Sequence, residues 1–241
     1  MISKVQGVVL AAGRGTRLSA ISDGVPKLLL EVGGNTLIEH LTLQLLEAGI
    51  DDVIVITREG TTDDFRRVFD DAIDLPLKKV SFVEVPLSNN NILDTMYSVR
   101  NHVNGEKLLY SCDVLLDGSL RPAVQAFEAQ SNGARTVSSY MEDTAGFSLI
   151  AVEKDEITKF HRKDKERHVS GLIDLGFWMF HSDVFSIMED FLSLDESMGI
   201  FELNKHFVNL GLHHHTQTRG WWSDVGNSCA EFVKVREKYH G

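Results

Sequence analysis

The segment Ala11-Ala12-Gly13-Arg14-Gly15-Thr16-Arg17 directly follows the apolar run Val5 to Leu10 and gathers residue types that hold phosphate. Glycines let backbone N–H groups close on phosphate oxygens, and an arginine adds a planar, two-pronged donor. Gly-Lys-Ser/Thr is absent, so this is not a Walker loop, and the third glycine of a dinucleotide-binding fingerprint is missing. Taken alone, the two-glycine turn equally fits a tight strand-to-helix connection. Other residues offer weaker chemistry. His213-His214-His215 is a histidine triplet, but neighbours on a strand face opposite ways, which keeps the three from converging on a metal. Trp221 and Trp222 offer stacking surfaces, with packing beside a final helix as the commoner use. Cys112 has no histidine near it in sequence and reads as a buried, inert thiol.

Lys27, in Pro26-Lys27, lies ten residues beyond Arg17. The stretch LAAGRGTRLSAISDGVPKLL resembles the signature of the sugar-1-phosphate nucleotidylyltransferases, LAxGxGTRL, a short spacer, then PKxL. The resemblance implies that Leu10, Ala11, Ala12, Gly13, Arg14, Gly15 and Thr16 bind the nucleotide. It also implies that Arg17 and Lys27 are catalytic, neutralising charge as the acceptor phosphate attacks the α-phosphorus in line and pyrophosphate leaves. The family binds magnesium through one aspartate after a central strand and another near the C-terminus, and Asp113 in LLYSCDVLLDG and Asp224 in GWWSDVGN match those places. On the acceptor side Gly146, Lys163 and Gly176 match, with Lys163 steering the acceptor phosphate.

The chain also departs from that pattern. Leu93-Asp94-Thr95-Met96 stands where the family shows LGTA beside the nucleotide base; Thr95 fits, whereas Asp94 replaces a glycine. Cys112 replaces a glycine before the metal aspartate, and Ala145, His161 and Arg162 stand at unmatched acceptor-side positions. Asn89-Asn90-Asn91 reads as an exposed turn or as a reader of polar edges. With the following TMYSVR, it is similar to bacterial choline-phosphate cytidylyltransferases of the same fold. The expected function is therefore nucleotidyl transfer to a sugar 1-phosphate, with cytidylyl transfer to a phospho-alcohol or phosphonate as the rival. A non-catalytic nucleotide-sugar sensor is a further alternative, opposed by the presence of Arg17, Lys27, Asp113 and Asp224. A dinucleotide-binding oxidoreductase rests on the glycine loop alone.

These residues must be positioned by alternating strands and helices. Strands are predicted at Val5–Leu10, Val53–Thr57, Val80–Val85 and Lys107–Cys112, and helices from Thr36 to Leu46, Thr62 to Asp71, Thr95 to His102 and Pro122 to Gln130. The second half is predicted to hold strands near 136–140, 147–152, 157–160, 172–180 and 212–218, with helices at 184–191, 201–208 and 230–239. The expectation is an α/β, Rossmann-like, mostly parallel sheet flanked by helices, with a small additional β-region lying over or at the edge of it in the second half. One domain, 1–241, would divide into a nucleotide-binding half (1–130) and an acceptor-binding half (131–241). Open sheets of this kind bind ligands beyond the carboxyl ends of their strands, where the loop after Leu10 and Asp113 both fall.

A net charge of −11 argues against nucleic acid and anionic membrane as partners. The expected partners are a nucleoside triphosphate and a small phosphorylated acceptor, with self-association into a homo-oligomer left open. No run approaches the length of a membrane span, no secretory signal is legible, and two distant cysteines suit a reducing compartment, so the cytoplasm is expected. The chain ends one helix after Asp224, and a stand-alone catalytic unit without a hexapeptide β-helix is expected.

Overall fold

A computed structural model of the chain describes residues 3–71, 76–89, 91–195 and 197–240. The first half runs β1 (Val5–Leu10), α1 (Ser19–Ser22), β2 (Glu31–Val32), β3 (Asn35–Thr36), α2 (Leu37–Glu47), β4 (Asp52–Arg58), α3 (Thr62–Asp71), β5 (Lys79–Val85), α4 (Ile92–Tyr97), β6 (Lys107–Ser111), β7 (Val114–Leu116) and α5 (Arg121–Ala129). The second half runs β8 (Ala134–Met141), β9 (Leu149–Glu153), β10 (Glu156–His161), β11 (Gly171–His181), α6 (Val184–Leu194), α7 (Ile200–Asn209), β12 (His213–Gln217), β13 (Trp222–Asp224) and α8 (Cys229–His240).

One nine-stranded sheet, ordered β5-β4-β1-β6-β11-β8-β12-β10-β9, organises the molecule. From β5 to β6 the strands are parallel, and the central β1 and β4 are buried almost throughout because both faces are covered, whereas the edge strand β5 is partly exposed. Val9, Val53 and Val55 face one core with α2 and α5, while Val8, Ile54 and Ile56 face another with α4, α6 and α7. The second-half strands do not lie over this sheet. They extend its edge through β11, which pairs antiparallel with β6 and β8.

Local chemistry explains most boundaries. Thr36 caps α2 in a reciprocal box with Glu39, satisfying backbone donors that a helix start leaves free. The helix expected at 95–102 instead begins at Ile92 and ends at Tyr97. Asn91 Oδ1 accepts from Leu93 N at 2.8 Å, so the asparagine run supplies a cap that moves the start forward. Two further strands, β7 and β13, pair antiparallel in a separate ribbon with Asp224 opposite Val114. Neither is expected from the sequence, since three residues are too few to show a period. Among the described residues no helix is long and apolar enough to cross a membrane.

Candidate active site

The carboxyl end of β1 opens into a cavity of about 440 Å³. Ala11 N donates to Ile56 O at 2.8 Å, which fixes how the chain leaves the sheet. Arg58, at the end of the neighbouring β4, donates Nε and Nη2 to Ala12 O at 2.8 and 2.6 Å and so clamps the glycine loop from beside it. Gly15 has φ 60°, and a Cβ there would stand 3.3 Å from Lys27 Cβ, so glycine both permits the turn and lets Lys27 approach. The turn at Thr16–Leu18, closed by Leu18 N donating to Gly15 O, carries Arg17 to the cavity. Among the described residues no carboxylate pairs with Arg14 or Arg17.

Lys27 begins the short turn at 27–29 after Pro26, and its Nζ forms an ion pair with Asp113 Oδ2. The β7–β13 ribbon brings Asp224 to the same corner: Val225 N donates to Asp113 O at 3.0 Å, and Asp224 lies opposite Val114. Burial first, and then the Asp113 charge, pushes the Asp224 carboxyl up to about 6, against the opposing charges of Lys163, Lys27 and Arg17. Two carboxylates from distant strand ends share this partly buried corner, and a pair of carboxylates is the donor set magnesium takes alongside phosphate oxygens and water. Gly226 completes the corner, for a Cβ on it would overlap the Asp113 carboxylate and lie 2.6 Å from Lys27 Nζ. Burial, then the Asp113 charge, pushes the adjacent Cys112 thiol up, so it is no thiolate nucleophile.

The opposite wall comes from β10, β11 and α7. The register of β11 shifts between Asp174 and Trp178, with Gly176 at φ 84°, and this bulge turns Asp174, Gly176 and Trp178 toward the cavity. Asp174 accepts from Thr136 Oγ1 at 2.6 Å, Gly176 N at 2.9 Å and Trp178 Nε1 at 2.8 Å. Its pKa is nevertheless raised, because burial outweighs those bonds and the Lys163 charge. Phe160, Phe201 and Asn204 finish this wall.

Of the residues singled out by sequence, the cavity brings together Leu10, Ala12, Gly13, Arg14, Arg17, Lys27, Thr95, Asp113, Lys163, Gly176 and Asp224. Ala11, Gly15 and Thr16 shape the loop without lining the cavity. Asp94 lies outside it, exposed in the first turn of α4, because residues 92 and 95, one helical turn apart, take the inward face. Gly146 is also outside; its N–H ties to Asp164 O at 2.8 Å and orients the loop that leads to Phe147 and Ser148 on the wall. Asn89 and Asn91 line the cavity while bracing their own loop, and Asn90 lies outside the described residues. Arg162 turns away to pair with Glu202. Trp222 lines the cavity, whereas Trp221 packs against Tyr239. The histidine triplet alternates faces, and no metal-holding cluster of three or more His, Cys, Asp or Glu occurs among the described residues.

Sequence reasoning missed Arg58, Asp174, Trp178 and Asn204. Signals for three of them exist. Arg58 ends a strand whose neighbour ends in the glycine loop, Asp174 interrupts an apolar strand, and Asn204 sits in the buried stripe of α7 between Leu203 and Phe207.

Comparison with known proteins follows the same lines. The family model described as nucleotidyl transferase matches residues 6–240. The bifunctional protein GlmU of Methanococcus maripaludis is 25% identical over 231 residues, covering 92% of this chain and 52% of its own, so the chain spans about half the length of that relative. The UTP–glucose-1-phosphate uridylyltransferase AglF of Haloferax volcanii is 26% identical over 229 residues, covering 92% of this chain and 91% of its own. The solved structure of the inositol-1-phosphate CTP transferase from T. maritima superposes with a TM-score of 0.80 at 21% identity, over 99% of this chain and 98% of that one, which is a likeness of fold.

Proposed function

The chain belongs to the nucleotidyl transferase family, and from that premise we propose that it joins a nucleotide from a nucleoside triphosphate to a sugar 1-phosphate, releasing pyrophosphate. The observation that carries this reading is a single cavity with two unlike walls: a glycine loop with Arg17, Lys27, Asp113 and Asp224 on one side, and Lys163 beside an aromatic wall on the other. The first wall suits a triphosphate and the second a small phosphorylated acceptor. The name of a relative of matching length, AglF, supports a sugar 1-phosphate as that acceptor.

The roles follow from charge and place. Backbone N–H groups of the glycine loop and the Arg17 guanidinium hold phosphate oxygens; Lys27 leaves Asp113 for the α-phosphate and stabilises the charge that builds during in-line attack. Lys163 orients the acceptor phosphate for that attack. Asp113 and Asp224 would hold magnesium, which supplies Lewis-acid neutralisation of phosphate charge. No protein nucleophile is required, in keeping with the raised Cys112 thiol. Residues 1–130 would serve the nucleotide and 131–241 the acceptor, within one domain. The free thiols Cys112 and Cys229 favour a reducing compartment such as the cytoplasm.

The test is pyrophosphate release in the presence of magnesium, with CTP, UTP, dTTP and GTP each set against glucose 1-phosphate, inositol 1-phosphate and phosphocholine. Release that requires both a nucleotide and glucose 1-phosphate is expected. Release with phosphocholine and no sugar phosphate would hand the function to the cytidylyl-transfer rival. Nucleotide-sugar binding without any release would make the chain a sensor.

A further inference from the structure

Asn204, on α7, lines the cavity, yet its side chain is fully buried and neither its oxygen nor its nitrogen meets a hydrogen-bond partner in the protein. Buried amides are nearly always paired, because losing water without a replacement is costly. The fold does not demand a polar residue here. Leu203 and Phe207 fill the neighbouring buried positions of α7, and a leucine at 204 would complete the stripe. The residue is also held in place from below: His213, on β12 and itself buried, bonds through Nδ1 to Asn204 O at 3.2 Å. The backbone at Asn204 is thus held against β12, whereas the carboxamide itself is unpaired and sealed from water, and meets a ligand by turning about its own side-chain bonds toward the cavity.

We propose that Asn204 reads the acceptor, its Nδ2–H donating to one hydroxyl oxygen and its Oδ1 accepting from the adjacent hydroxyl, so that the acceptor is a phosphomonoester bearing a vicinal diol. This rests on the transferase reading above. A carboxamide presents a donor and an acceptor side by side, and two neighbouring hydroxyls present the complementary pair. Phe160, Trp178 and Phe201 line the same cavity; such rings stack on a sugar face and also attract a quaternary ammonium, so the carboxamide is what distinguishes the two acceptors. The carboxylate on this wall, Asp174, already accepts three protein hydrogen bonds. A quaternary ammonium head group neither donates nor accepts hydrogen bonds, so it would leave the carboxamide unpaired.

The experiment measures steady-state pyrophosphate release by the full chain and by the Asn204→Leu and Asn204→Asp variants. Acceptors are glucose 1-phosphate, its monodeoxy analogues and phosphocholine, with the nucleotide that the wild type uses best. Deleting either of two adjacent hydroxyls should cost the wild type roughly ten- to a hundredfold in kcat/KM. Asn204→Leu should lose a similar factor on glucose 1-phosphate through acceptor KM, keep its KM for the nucleotide, and become indifferent to those deletions. Asn204→Asp retains an acceptor and loses the donor, so it should stay sensitive at one hydroxyl only, and it carries the test if the leucine variant does not fold. Sugar-phosphate turnover in which the variants keep the wild-type acceptor KM and deoxy discrimination overturns the Asn204 assignment alone. Turnover of phosphocholine with no sugar phosphate accepted overturns the assignment together with the proposed function.

Discussion

The two walls of the cavity are built by opposite means. The wall around Lys27 and Asp113 is assembled from short connections at the ends of adjacent parallel strands, and its charges face one another across an ion pair. The wall around Asp174 and Asn204 is assembled from a bulged strand and a helix about thirty residues apart in sequence, and its polar groups are buried among aromatic rings. The first arrangement fits the handling of a triphosphate, where fixed cations must meet phosphate charge at set points. The second fits recognition, in which each buried polar group selects a partner and the scaffold beneath it can be rebuilt.

If the first wall performs the chemistry, removing either member of its ion pair should have the largest effect of any single change. Lys27→Ala and Asp113→Ala should each slow turnover by roughly 10²–10⁴-fold, the range for losing a group that stabilises transition-state charge. Circular dichroism should stay near the wild type, with a modest fall in melting temperature, because the two side chains are only 17% and 20% exposed and removing one leaves the other's charge without its partner. Near-normal pyrophosphate release in either variant would break the comparison, since the charged wall would then be a binding surface and no more.

That contrast also governs what the sequence discloses. The glycine loop and Lys27 are legible because they are contiguous, and their chemistry follows from residue type within a short span. Asp113 and Asp224 are legible as a converging pair through resemblance, but the pairing between β7 and β13 that brings them together is not, because each strand is too short to announce itself. Arg58 gives only the weak signal of ending a strand, as its role arises when β4 lies in parallel register with β1 and its guanidinium meets Ala12 O. Asp94 misleads for a related reason: motif position aligns it with a base-contacting residue, whereas the cap from Asn91 sets the helical phase and turns it outward. The sheet's second half was expected as a region at or over the edge, and β11 makes it a continuation because its far end finds β6 free to pair.

A smaller effect should come from a residue that carries no chemistry. Gly226→Ala would push a methyl group into the Asp113 carboxylate and against Lys27 Nζ, so both must move off their present positions. Rate loss on the order of ten- to a hundredfold is expected, since small displacements of positioned groups cost about that much. The loss should appear in kcat with acceptor KM little changed, which sharpens the division between walls. Equal damage to acceptor KM would blur it.

The smallest effect tests the support beneath the wall of Asp174 and Asn204. Burial, aided by the charges of His214, Arg135 and His215 and opposed by the bond to Asn204 O, lowers the His213 pKa to about 4, against about 6.5 for an unfolded histidine. The unfolded chain therefore binds a proton that the folded chain refuses, and stability must rise with pH across that interval. The contribution is nearly complete above pH 6.5 and falls as pH drops toward 4, by roughly 1 kcal/mol at pH 5.5 and about 3 kcal/mol in full. His215, whose pKa is also lowered by burial, acts in the same direction. His213→Phe keeps a ring where His213 stacks on Phe160 at 6.0 Å between centroids and should flatten this part of the curve in urea melts at pH 7.5, 5.5 and 4.5. Hydrogen exchange should show α7 and β12 losing protection before α2 and β1 as the wild type is acidified. Simultaneous loss throughout would mean that the two walls share one cooperative unit and that their separate construction has no thermodynamic counterpart.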